Sequence, residues 1–291
     1  MILALLASTF RVSTPLLFAA LGGLCSERAG VVNIALEGFM LIGAFGAAVG
    51  TVATHSPWTG SVIGLSASTA LAALYGLFVI RLRSNQIVAG AAINMLALGL
   101  TPFLCKIFYD VTSSTPAIPA NERLHLAPLY LVWLAVGLCW FGLRYTRLGL
   151  WISFAGEHPE ALEAAGIRVN RVRWLGVLLS GALAGIGGAS LSILLSSSFS
   201  RNMTAGRGFM ALAALIFGKW RPVQTAFACL LFGASEAVQI RLQLQRVKIW
   251  GEEIPVQFIQ ILPYVVTIIA LAGFVGRSNA PKALGIPFRK E

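Results

Sequence analysis

Charge is the scarcest commodity in this sequence. Only 11% of its 291 residues are Asp, Glu, Lys or Arg, against about 25% in an ordinary soluble domain. Acids are rarest: eleven, against 22 basic residues and three histidines. The histidines (His55, His125, His158) lie far apart in polar loops, with no metal-ligand spacing and no nucleophile elbow nearby. Cysteine is almost as sparse. Cys25, Cys105, Cys139 and Cys229 fall in or beside apolar runs without a CxxC pair, which argues against a disulfide framework or a thiolate metal site. A phosphate-binding loop is missing too: the one Gly-Lys pair, Gly218–Lys219, has Ala213 where glycine is required and Trp220 where Ser or Thr is required. No catalytic residue, metal or directly bound cofactor is expected. The net charge of +11 is spread over segment ends, a distribution that argues against a nucleic-acid partner and suits contact with lipid.

Hydrophobic residues make up 57% of the chain. Several runs approach the ~20 apolar residues needed to cross a bilayer. Nine apolar segments can be read, at about 1–25, 29–53, 60–80, 86–109, 128–143, 174–198, 206–218, 222–243 and 256–275. The seventh is short for a full span and reads as re-entrant or broken. MILALLASTF lacks the positive n-region of a signal peptide and is read as the start of the first span. The expected fold is an all-α polytopic membrane protein, with residues 1–291 forming one transmembrane domain. Small residues at four-residue spacing (Gly181 and Gly185, Ala184 with Gly188 and Ser192, Gly46 and Gly50) suit close helix packing in lipid.

Between two long apolar runs lies a charged island, GEHPEALEAAGIRVNRVR (Gly156–Arg173). Pro159 suits a first helical position, Glu160 suits the positive first turn, and Gly166 is a natural stop. Leu162 and Ala165 form a small apolar stripe. Two turns are too short to stand alone in water. Such a helix either caps the protein's own helix ends or leans on another protein.

This island, followed by LSGALAGIGGA (Leu179–Ala189), resembles the cytoplasmic coupling segment of ABC-importer permeases. The similar group is the ribose, simple-sugar and nucleoside branch of the branched-chain amino acid permease superfamily. CSERAGVVNIALEGFMLIGAFGA (Cys25–Ala47), NQIVAGAAINMLALGL (Asn85–Leu100), MTAGRGFMALAALIFGKWRP (Met203–Pro222) and LGIPFRK (Leu284–Lys290) carry the resemblance along nearly the whole chain. It implies that Glu157, Pro159, Glu160, Leu162, Ala165 and Gly166 dock on a separate ATPase subunit with two nucleotide sites, where ATP and Mg are used. It also implies a second homologous permease and an extracytoplasmic binding protein or lipoprotein. With the island cytoplasmic, alternation places most Lys and Arg inside. The protein is then a multi-pass protein of a bacterial cell membrane, N-terminus outside and C-terminus cytoplasmic. The basic stretch Arg241–Lys248 runs against that rule.

Polar residues within apolar segments are costly in a bilayer, so they mark either a solute pathway or helix-to-helix glue. Asn33 and Glu37 stand four apart, as do Gln86, Gly90 and Asn94, while Glu236, Gln239 and Gln243 follow at i, i+3, i+7. EGFM (Glu37–Met40) echoes RGFM (Arg207–Met210), suggesting a pseudo-repeat around 25–50 and 203–222, and transporters often place sites at repeat interfaces. Glu37 and Arg207 are expected to flank the pathway as a pair, with Asn33, Asn94, Glu236 and Gln239 along it. Phe39 and Phe209 are candidates to stack on a base. The polar stripes, poor in cations, suit a neutral hydrogen-bonding solute. By resemblance the solute is a purine nucleoside first, with ribose-like sugars or riboflavin as alternatives. A passive channel or a membrane scaffold are the rival classes.

Overall fold

A computed structural model describes residues 2–244, 248–249, 252–253, 261, 265–266, 268–269 and 280–288. Ten helices are described: α1 (Ile2–Arg28), α2 (Leu36–Thr54), α3 (Pro57–Gly76), α4 (Gln86–Tyr109), α5 (Ala127–Tyr145), α6 (Arg147–Glu157), α7 (Pro159–Ala164), α8 (Val169–Ala189), α9 (Arg207–Phe217) and α10 (Pro222–Leu244). α3 and α8 each end in a π-helical turn, Leu77–Arg81 and Ser190–Leu195. Among the described residues, seven helices are long and apolar enough to cross a membrane, and the only strand ladder pairs Lys248–Ile249 with Glu252–Glu253. The protein is an all-α polytopic membrane protein. The ninth expected segment, 256–275, falls largely outside the described residues.

The centre of the bundle is α2, packed against α3, α8 and α4, while α1 packs on the α8 and α10 side. Of the α2 span, 83% is buried, against 17% for the span ending in α5. Glycine makes that centre. A Cβ on Gly43 of α2 would lie 2.6 Å from the Cα of Gly185 in α8, and one on Gly50 would lie 3.0 Å from the Cα of Gly60 in α3. Backbones that close gain dispersion contact where lipid offers no hydrophobic drive to associate. The small-residue stripes therefore pack helices, as their spacing indicated.

Three boundaries differ from the sequence reading. The second span starts at Leu36, not 29, because residues 29–35 leave the helix after Gly30 adopts φ +90°. The charged island is preceded by an unforeseen helix, α6, whose start is capped by Thr146 Oγ1 accepting the Gly149 N–H at 3.1 Å. The island's C-terminal end, from Val169, is already α8. The seventh segment is indeed short, an eleven-residue α9.

Candidate functional site

Two helices open in the interior with related sequences. Glu37-Gly38-Phe39-Met40 forms the first turn of α2 and Arg207-Gly208-Phe209-Met210 the first turn of α9, each preceded by irregular chain. They meet directly: a Cβ on Gly208 would lie 2.5 Å from the Glu37 Cα. Glu37, 4% exposed, accepts the Gly206 N–H at 2.8 Å on Oε1 and the Gly208 N–H at 2.6 Å on Oε2. It thus occupies the anion position at the start of α9, where orphan N–H groups and the helix dipole favour negative charge.

The expected Glu37–Arg207 pair is corrected by this geometry. Glu37 spends both oxygens on the backbone flanking Arg207, and the Arg207 guanidinium turns instead to Glu236 of α10, with Nη1 donating to the Met203 carbonyl at 3.0 Å. Bonding backbone N–H groups costs no side-chain entropy on the partner, so the cap displaces the pair. Glu37, Arg207 and Glu236 nevertheless form one connected network joining α2, α9 and α10. Gln239 is half-buried one turn beyond Glu236, and Nε2 of Gln243, one turn further, is buried without a partner.

The irregular stretch before α2 is held by side chains from three other helices. Gln86 Oε1 accepts the Val32 N–H at 2.8 Å, and the Tyr75 hydroxyl donates to the Val32 carbonyl. Asn94 Nδ2 donates to the Ile34 carbonyl at 2.9 Å, while its Oδ1 accepts the Gly38 N–H at 2.8 Å and so caps α2. Glu27 accepts the Asn33 N–H at 3.4 Å and the Trp220 indole N–H at 2.6 Å. Backbone at membrane depth must be satisfied inside the protein, and these groups do so. Asn33 and Glu37 do not share a helical face as expected, because Asn33 precedes the helix; its Nδ2 donates to Ser180 Oγ of α8 at 2.6 Å. Phe39 is also corrected as a stacking residue. It is fully buried, edge-to-face with Tyr75 at 6.1 Å. Phe209, 48% exposed, points away from this core. Glu27 and Trp220 escaped the sequence reading because one fell between two expected spans and the other sat beside a lysine.

A second constellation lies at the end of the bundle that carries α7. Pro159 is at its first position and Gly166, at φ +83°, ends it, with the Ile167 N–H returning to the Leu162 carbonyl at 3.2 Å. Glu163 Oε2 accepts the Val169 N–H at 3.0 Å and ties α7 to α8. The Leu162–Ala165 stripe is corrected. Leu162 is 4% exposed and packs in its own chain's cluster with Ala29, Ile152, Ala155, Val169 and Val172. Such a buried leucine anchors the helix and leaves Glu160, Ala161, Ala164, Ala165 and Gly166 as the exposed face. A cleft of about 370 Å³ separates Glu157 to Ala161 from Lys282, Ala283 and Ile286 of the C-terminal segment.

A family model described as "Branched-chain amino acid transport system / permease component" matches residues 5–271. The chain is 37% identical to the nucleoside ABC transporter permease protein NupC of Lactococcus lactis subsp. cremoris, over 98% of this chain and 96% of that protein. It is 37% identical to the guanosine ABC transporter permease protein NupQ of Bacillus subtilis, over 97% and 95%. It is 38% identical to a putative glucose ABC transporter permease protein, TsgC13, of Haloferax volcanii, over 82% and 78%. No solved structure matches.

Proposed function

This chain belongs to the branched-chain amino acid transport system permease-component family, and from that membership we propose that it is a permease subunit of an ATP-driven importer of purine nucleosides. Full-length similarity to a nucleoside and a guanosine permease carries the reading. The interior chemistry supports it. Interior helix N-termini in transporters commonly receive anionic substrate groups; here Glu37 fills that position on α9 and Asn94 caps α2. The Gly38, Gly206 and Gly208 N–H groups at these two starts are therefore already taken, which favours a neutral solute such as a nucleoside over one bearing a carboxylate. The remaining polar groups, Gln239, Gln243 and the Arg207–Glu236 pair, suit hydrogen bonding to such a solute.

ATP hydrolysis then belongs to a separate subunit with two nucleotide sites, docked against the exposed face of α7. A second, homologous permease and an extracytoplasmic binding protein or lipoprotein complete the importer. The C-terminal segment packs at the α7 end, in keeping with a cytoplasmic C-terminus and an N-terminus outside. Movement of the ATPase is passed through α6 and α7 to the base of α8, and the helices switch between outward- and inward-open arrangements.

Purification from native membranes in mild detergent tests the assembly, comparing the intact chain with one whose residues 157–166 are scrambled. The intact chain is expected to bring an ATPase and a second permease, and the scrambled chain neither. A folded intact chain that brings no ATPase would sink the importer in favour of a channel. Guanosine uptake by the reconstituted complex, challenged with adenosine, ribose and leucine, tests the solute. Competition by leucine but not adenosine would overturn the nucleoside assignment.

A further inference from the structure

Arg173, in the first turns of α8, is 3% exposed, yet among the described residues no acid forms an ion pair with it. Its Nη1 donates to the Ile286 carbonyl at 2.8 Å, while Nε and Nη2 are buried with no hydrogen-bond partner among the described residues. A buried guanidinium with two unused donors is costly in a single static structure. Its surroundings suggest where those donors go. Gly30, at φ +90°, leaves a niche where a Cβ would stand, and three groups ring it: Arg173 Nη2 at 3.1 Å, the Ala155 carbonyl at 3.2 Å and the Ala283 carbonyl at 3.3 Å. Ala155 belongs to α6, next to the coupling helix, and Ala283 to the C-terminal segment. That segment is strapped across the base, with the Ala283 N–H on the Gly156 carbonyl at 2.8 Å and the Gly285 N–H on the Gly30 carbonyl at 3.2 Å.

We propose that Arg173 is a positioning residue for transport, a latch that holds the C-terminal strap in the present arrangement and takes the Ala155 carbonyl when α6 and α7 shift. The idea rests on the importer reading. The strap, α6, α8 and the turn after α1 converge on this one side chain, so movement of the coupling segment can bring the Ala155 carbonyl to a donor that is unused in the present arrangement. Elements with two discrete hydrogen-bonded arrangements are what convert a small shift into a switch.

The test uses the full chain assembled with its partner subunits in liposomes, reading guanosine uptake, ATP hydrolysis and thermal melting of the complex. For Arg173→Met, removal of an uncompensated buried charge is expected to leave melting unchanged or raised. Uptake per ATP should fall about tenfold, within the 5- to 150-fold range of ordinary coupling between sites. Arg173→Lys should recover part of it. Unchanged uptake per ATP in Arg173→Met overturns the latch; so does a loss that tracks lowered melting and is not rescued by Lys. A second arm is independent of the solute and of that variant. Cysteines at Ala155 and Ala283 should cross-link with different yield in the nucleotide-free and vanadate-trapped complex, and equal yields overturn the latch. A wild-type complex that hydrolyses ATP without guanosine uptake refutes the nucleoside reading, and the cross-link alone then decides the latch.

Discussion

Two of the irregular stretches of backbone in this bundle are secured by different means. The stretch before α2 is fastened by side chains: Gln86, Asn94, Tyr75 and Glu27 come from three helices and satisfy Val32, Asn33, Ile34 and Gly38. The base, where α6, α7 and the C-terminal strap meet, is fastened mostly backbone to backbone, with Glu163 and Arg173 adding side-chain links. Side-chain capture from several helices fixes a backbone in one arrangement, because each partner removed strands a buried group. Backbone contacts between neighbouring segments can slip to a neighbouring carbonyl at little cost. On the importer reading proposed above, the interior break serves as the fixed frame and the base as the part that moves.

The sharpest way to break this contrast is to attack the frame at Glu37. Glu37→Ala strands the Gly206 and Gly208 N–H groups, at about 1–3 kcal/mol each, and should lower the melting of the detergent-solubilised protein more than any substitution on the exposed face of α7. A change no larger than that of an exposed residue would show that the α9 cap is dispensable. Next in size is the ion pair. Arg207→Glu and Glu236→Arg should each destabilise by about 1–3 kcal/mol, since removing one partner leaves a desolvated charge. The double reversal should restore part of the loss, and an additive double mutant would deny the pair. Asn94→Leu strands the Ile34 carbonyl and the Gly38 N–H, which predicts a loss of similar size. If Asn94 served the solute alone, uptake would fall with melting unchanged.

At the base the expected signs separate. Ala161→Asp and Ala165→Asp lie on the exposed face of α7 and should change stability by no more than about 0.5 kcal/mol. ATP-driven uptake should still collapse as the ATPase loses its seat. Leu162→Asp, by contrast, buries a charge in the chain's own core and should unfold the base before any partner is consulted. If Ala161→Asp and Ala165→Asp melt early, or transport normally, the division between frame and base fails.

The sequence made some of this legible and hid the rest for identifiable reasons. Pro159, Gly166 and the charged island announced α7, because caps and breakers act locally. The α4 stripe of Gln86, Gly90 and Asn94 was visible as a face. Its role as a cradle for residues 31–35 was not, since nothing in α4 reveals what faces it. Spacing suggested that Asn33 and Glu37 share a helix. Helical periodicity cannot show that Gly30 turns the chain and delays α2 to Leu36. Glu37 and Arg207 looked like a pair because opposite charges in lipid seek one another. The structure gave Glu37 two backbone donors and left Arg207 to Glu236.

By itself the sequence determined that this is a helical membrane protein, that glycine stripes bring its helices together, and that a short polar-flanked helix projects between two spans. Those features depend on residues within a turn or a span of one another, and lipid enforces them by penalising every unpaired backbone group. Which buried acid caps which helix, which side of α7 is left exposed, and what Arg173 holds were decided only by tertiary structure. Each joins residues more than a hundred positions apart, or depends on a neighbour's shape, and local pattern carries no record of such partners.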